Sequence, residues 1–164
     1  MKYRRWLIFT ILIMIIIFVF SSQDANLSNR ISDFVSSLLA GRLIRVANGD
    51  FFGYFMRKFA HFFMYMLLGG VAYTMTGMYE LTKAKSIGFK RRIAVTLAIC
   101  VIYAVLDEFH QYFVPYRTPQ WQDVLIDTGG ACTGILFASL LHLVHMKMSQ
   151  LRAKKTERKY VKYK

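Results

Sequence analysis

Four long apolar stretches dominate this 164-residue chain, at about 6–20, 59–79, 93–114 and 124–144. About 20 mostly apolar residues in helical form cross the ~30 Å hydrocarbon layer of a bilayer. Lipid offers the backbone no hydrogen bonds, so only helices and closed barrels satisfy it there. None of the four stretches alternates with a period of two, so the expectation is an all-α polytopic membrane protein with four transmembrane helices. The first stretch is short, and Tyr3 and Ser22 extend it into the interface. The second contains no formal charge. The third is interrupted late by Asp107, Glu108, His110 and Gln111, and the fourth carries Asp127 near its start.

Composition agrees with this reading. Hydrophobic residues make up 55%, charged residues 19%, and the mean hydropathy is +0.34. That excludes a disordered tail and argues against an ordinary soluble enzyme. Cys100 and Cys132, the two cysteines, both sit in apolar runs, which excludes a disulfide scaffold and suits small packing residues. Residues 1–145 read as one four-helix membrane domain and 146–164 as a basic cytoplasmic tail. The first helix has the basic flank of a signal peptide (Lys2, Arg4, Arg5), but no A-x-A-like site follows Phe20, so it is read as uncleaved.

Orientation follows from the positive charges. Of 22 Lys and Arg, three precede Trp6, five lie in 80–92 and eight follow Val144, whereas five lie in 21–58 and one, Arg117, sits by Pro115. Both termini are therefore expected in the cytoplasm. The formal net charge of +13 then reflects anchoring to anionic membrane lipids, and no nucleic-acid partner is expected.

This topology collects the polar residues at one depth. Arg57, Lys58 and His61 begin the second helix; Asp107, Glu108 and Gln111 end the third; Asp123 and Asp127 begin the fourth; Ser21, Ser22 and Gln23 close the first. Asp107 lies roughly 12 Å below Pro115 at about 1.5 Å per residue. Little comparable is expected in the inner halves. Arg57, His61 and Tyr65 share a helix face, as do Asp107 with Gln111 and Asp123 with Asp127. A carboxylate in hydrocarbon costs about 2.5–3.5 kcal/mol on insertion scales, so the acids should face cations or a wet cavity. The cluster reads either as a structural clamp that sets helix register or as a binding or catalytic pocket. His61, His110 and the acids are able to ligate a divalent cation, but D-E-F-H-Q is not the zinc pattern H-E-x-x-H and no cysteine is near, so neither metal nor cofactor is assigned. His142 and His145 suit the cytoplasmic end of the fourth helix.

Two further features are weaker. Gly130-Ala131-Cys132-Thr133-Gly134 forms G-x-x-x-G, which admits a neighbouring helix or a second copy of the chain. In the long outer connection, Ile31, Phe34, Val35, Leu38, Leu39 and Val46 fall at helical spacing, as an amphipathic helix lying on the outer surface would place them. The aromatic cluster F-F-G-Y-F at 51–55 then suits the interface. That stretch reads either as an ordinary loop packed onto the bundle or as a lid over the polar cluster.

At these residues the sequence resembles the VanZ-like family of bacterial membrane proteins. In R-K-F-A-H-F-F-M-Y-M-L-L-G, Lys58, His61 and Tyr65 fit the family's K-x-x-H-x-x-x-Y. In D-E-F-H-Q-Y-F-V-P-Y-R and D-V-L-I-D-T-G-G-A-C-T-G, Asp107, Glu108, Gln111, Arg117, Asp123, Gly130 and Gly134 fit its D-E-x-x-Q, R, D and G-x-x-x-G positions. Ser21-Ser22 also fits, and the resemblance covers about residues 5–145. The chain departs at Tyr116, where the family often has Gly, and at Asp127, where it often has Asn. The resemblance implies a multi-pass cell-membrane protein of the bacterial envelope that affects susceptibility to glycopeptides such as teicoplanin. It supplies no reaction.

Three functions are open on this reading. One is recognition of a lipid-linked cell-wall precursor, lipid headgroup or glycopeptide at the outer leaflet, with Arg57, Lys58 and Arg117 holding phosphate or carboxylate and the acids and Gln111 holding donors. Another is an intramembrane enzyme with Glu108 or Asp107 as general base and His61 as its partner. The last is a scaffold without catalysis, assembling as a homo-oligomer through Gly130 and Gly134.

Overall fold

A computed structural model of the chain describes residues 2–23, 30, 34, 49–83, 88–115 and 117–162. Every regular element among them is a helix: α1 (Lys2–Ser21), α2 (Gly49–Lys83), α3 (Phe89–Gln111) and α4 (Trp121–Lys162). Three of them, α1, α3 and α4, contain stretches long and apolar enough to cross a membrane. The fourth, α2, packs against all three.

Two helices run further than the apolar stretches suggest. α2 starts at Gly49, so the aromatic cluster at 51–55 forms its first turns rather than a separate interfacial loop. α4 passes through 145 without a break, so the change from apolar to basic sequence is not a change in backbone structure. The expected amphipathic helix of the long connection lies outside the described residues, apart from Arg30 and Phe34, which are helical and exposed.

The bundle is apolar outside and partly polar inside. Ile8, Phe9, Ile102, Leu106, Leu136, Phe137, Leu140 and Leu141 are exposed. The buried set includes Thr10, Ser21, Thr76, Arg92, Thr96, Asp107, Glu108, Gln111, Asp127 and Ser139. Soluble monomers rarely show so extensive an apolar surface, whereas a lipid-facing surface is apolar and directs its ionisable groups inward. α1 illustrates the pattern. Beyond its basic first turn it is apolar all round, and of its described side chains only Thr10, Ile17 and Ser21 are fully buried, with Ile13 and Met14 half-buried on the same stripe.

The most extensive packing joins α2 to α4. Gly130 meets the backbone of Phe62, and Gly134 meets the carbonyl of Met66 and the amide of Gly70. Gly69 in turn faces the backbone of Ala131. A Cβ at Gly69, Gly130 or Gly134 would overlap main-chain atoms of the facing helix, which no rotamer change relieves. The G-x-x-x-G face read as a possible surface for a second copy is therefore filled by α2 of the same chain. Its partner on α2, Gly69-Gly70, was not picked out in the sequence.

Because backbone cannot yield as a side chain does, Gly134→Ala and Gly130→Ala should each destabilise the protein by about 1–3 kcal/mol. Gly129→Ala should be neutral by comparison, since its Cβ would meet only the Phe62 ring at an ordinary 3.8 Å. Thermal unfolding of the three variants in one detergent checks this.

Candidate functional site

The end of the bundle formed by the C-termini of α1 and α3 and the N-terminal parts of α2 and α4 gathers most of the polar residues singled out above. Ser21 and Gln111 tie α1 to α3, with Gln111 Nε2 donating to Ser21 Oγ at 2.7 Å. Ser22 Oγ pairs with His110 Nε2 at 3.0 Å, and the His110 ring lies against Phe18. His110 thus serves the α1–α3 contact.

Several charges complement helix ends. Arg117 donates through Nε to the Gln23 carbonyl at 3.0 Å and through Nη2 toward the Phe20 carbonyl at 3.5 Å. Its guanidinium therefore meets the carbonyl-rich, partially negative end of α1. At the start of α4, Glu108 Oε2 accepts the Gln120 backbone N–H at 2.9 Å. The connection folds back to bring these residues together, so an acid of α3 sits at the partially positive end of α4. Asp123, in the first turn of α4, adds to the same effect.

Lys58 links α2 to α4. Its ammonium is ion-paired with Asp123, donates to Gln120 Oε1 at 3.3 Å, and lies 4.9 Å from the Tyr54 ring centroid. Arg57 is half-buried on α2 one turn before His61. The cations expected to hold an anionic ligand are thus also engaged in protein contacts: Lys58 with Asp123, and Arg117 with the end of α1.

Deeper in the same end, three helices converge. His61 of α2 places Nδ1 3.7 Å from Asp127 Oδ1 of α4. Donor atoms of His61, Asp107 and Asp127 all lie within 4.8 Å of one another. Asp107 is 2% and Asp127 0% exposed, and none of their four carboxylate oxygens makes a hydrogen bond of good geometry, with Ser21 and Gln111 lying against Asp107 and His61 against Asp127. Tyr65, one turn beyond His61, is fully buried and its hydroxyl also lacks a partner. This is the group among the described residues arranged to hold a metal ion, whereas the sequence alone led to no metal assignment. Asp127 sits in it because Gly130, one turn on, brings α4 against α2.

Beside this centre, a cavity of about 300 Å³ is lined by Glu108, Phe109, Tyr112, Pro119, Gln120 and Trp121. Glu108 Oε1 is buried without a partner. Phe109, Tyr112 and Trp121 are largely exposed, and the cavity walls are mainly apolar. The arrangement suits an amphiphile that presents a hydrogen-bond donor to the carboxylate and an apolar portion to the aromatic rings.

The opposite end is not empty of polar groups, contrary to the sequence-based expectation. Arg92, counted there as a loop cation, is buried at 8% exposure. It donates to the Tyr73 carbonyl through Nε at 3.1 Å and Nη2 at 2.6 Å, and stacks on the Tyr73 ring 3.7 Å from its centroid. Gly77 leaves the space that the guanidinium fills. Thr76 and Thr96 pair alongside at 3.1 Å. Charge counting had no access to this, because it depends on a glycine notch on another helix. Lys is unable to reproduce the planar fork and stacking of Arg. Arg92→Lys should therefore lower stability by about 2 kcal/mol, while Arg91→Lys, at an exposed position, should leave the melting temperature unchanged.

No curated protein and no solved structure matches the sequence. The family model described as VanZ/LLP1 matches residues 6–142, which take in α2 and α3 whole, most of α1 and the first half of α4, and the chain belongs to that family.

Proposed function

We propose that this protein is a multi-pass component of the bacterial cell membrane that binds an envelope amphiphile in the Glu108 cavity and thereby lowers susceptibility to glycopeptides such as teicoplanin. In this reading all four helices cross the bilayer, both termini are cytoplasmic, and the cavity opens at the outer leaflet. The carrying observation is an open groove lined by Glu108, Gln120 and mainly apolar and aromatic side chains, with Glu108 Oε1 buried behind its wall without a partner.

An unpaired carboxylate oxygen in such surroundings gains a charge-assisted hydrogen bond when a ligand supplies an N–H or O–H. A lipid-linked wall precursor or a lipid headgroup carries such donors on sugar, peptide or amine groups. Its chain would run beside Phe109, Tyr112 and Trp121. The other oxygen of Glu108 accepts from Gln120, so the carboxylate is oriented before ligand arrives. Lys58 contributes by holding Asp123 and Gln120, which set the position of the α4 start.

Expression in a susceptible strain should raise the inhibitory concentration of teicoplanin. At matched protein level, Glu108→Gln and Lys58→Ala should return it to that of the strain without the gene. Unchanged susceptibility across both variants would count decisively against the proposal. Lipid and wall-precursor profiles of the same strains address the alternative of an intramembrane enzyme. A species altered by wild type but not by Glu108→Gln would mean a reaction, and unaltered profiles would mean binding.

The orientation has its own check. In a background lacking Cys100 and Cys132, single cysteines replacing Lys58 and Arg117 should both react with an impermeant maleimide added outside intact cells. Labelling of the two from opposite sides would remove the shared outer layer on which the proposal stands.

A further inference from the structure

We infer that His61, Asp107 and Asp127 form a binding site for one divalent cation inside the helix bundle, with zinc the best-matched ion. Each residue comes from a different helix, and their donor atoms lie within 4.8 Å of one another. The acids are almost fully buried, and none of their four carboxylate oxygens makes a hydrogen bond of good geometry, although Ser21 and Gln111 lie against Asp107 and His61 against Asp127. Polar groups so enclosed are nearly always bonded, and a buried charge is paired or binds a metal. Lys58, the nearest ammonium on α2, is already paired with Asp123.

The donor set sorts the candidate ions. One imidazole nitrogen with two carboxylates suits zinc or manganese, whereas magnesium and calcium favour oxygen-only shells. Tetrahedral zinc with bonds of ~2.1 Å sets its donors about 3.4 Å apart. The His61–Asp127 separation of 3.7 Å is already close to that value, and the Asp107 donor, within 4.8 Å of both, has at most about 1.4 Å to close. Three protein ligands leave a position for water or another ligand. Two carboxylates and a neutral imidazole balance the ion's charge. The Tyr65 hydroxyl, buried and without a partner, supplies a nearby donor for a coordinating carboxylate. The site is separate from the Glu108 cavity reading and stands without it.

The test uses the full chain, purified in detergent, stripped with chelator and titrated with Zn²⁺ against a chromophoric competitor. Wild type should take up one zinc per chain with a dissociation constant of about a micromolar or below, and its melting temperature should rise with Zn²⁺. Co²⁺ should give visible absorption of a four-coordinate ion. Asp107→Asn and Asp127→Asn, which preserve side-chain shape, should each weaken binding by about a hundredfold. Metal-free melting curves establish that they fold. Replacing His142 and His145 together, both exposed, should leave binding intact.

Three results would overturn the inference. They are absence of zinc uptake by wild type, uptake equal in the two Asn variants, and uptake lost only with His142 and His145. If wild type takes up no zinc and Asp127→Asn melts higher than metal-free wild type, the acids share a proton instead and the metal site does not exist.

Discussion

The close approach of α2 and α4 is the constraint from which the rest of the molecule follows. Gly69, Gly130 and Gly134 bring main chain against main chain, a distance that any side chain would prevent. In lipid, where apolar burial gives no net drive to helix pairing, such intimate van der Waals contact is a principal source of association. The seam also sets what lies at its edges. His61 precedes the glycine-facing residues Phe62 and Met66 by one and five positions, and Asp127 precedes Gly130 by three. The imidazole and the carboxylate therefore meet because the glycines do.

Around that seam the charged residues divide into two groups with different physics. Arg117, Glu108 and Asp123 sit at helix termini of complementary polarity, and Lys58 ties Asp123 across to α2. These contacts hold the ends of α1 and α4 in register. Asp107 and Asp127 lie deeper, beyond the helix-end dipoles, and no carboxylate oxygen of theirs makes a hydrogen bond of good geometry. A structural clamp would be expected to leave no acceptors open, because each buried unsatisfied group costs about 1–3 kcal/mol. The contrast between the rim, where Glu108 Oε1 alone of these groups is buried without a partner, and the centre, where every carboxylate oxygen is, points to a ligand at the centre. Arg92 at the other end behaves as the rim does: its charge is stacked on Tyr73 and bonded to a carbonyl.

Much of this was legible in the sequence for a simple reason. Apolar length and helical spacing are local properties, so the helical class, the approximate helix positions and the shared faces of Arg57, His61 and Tyr65 or of Asp123 and Asp127 follow from neighbours along the chain. The gathering of Ser21, Lys58, Gln111 and Asp123 also followed, because successive helices that turn back on one another bring alternate ends together. What did not follow were contacts set by shape between distant segments. Gly69-Gly70 lacks the four-residue spacing of a packing motif, yet it faces Ala131 and Gly134. Arg92 reads as one more cation beside Arg91, and only the notch at Gly77 distinguishes them.

By itself the sequence determined that the chain is helical, rich in lipid-compatible surface and supplied with acids and bases at matching depths, because hydropathy and periodicity act residue by residue. The tertiary structure decided which of those groups became partners. His61 joined Asp107 and Asp127 while His110 turned to α1, and Lys58 took Asp123 rather than a deeper acid. Those choices depend on interhelical distance and rotation, which backbone contact at a few glycines sets and no spacing along one helix encodes.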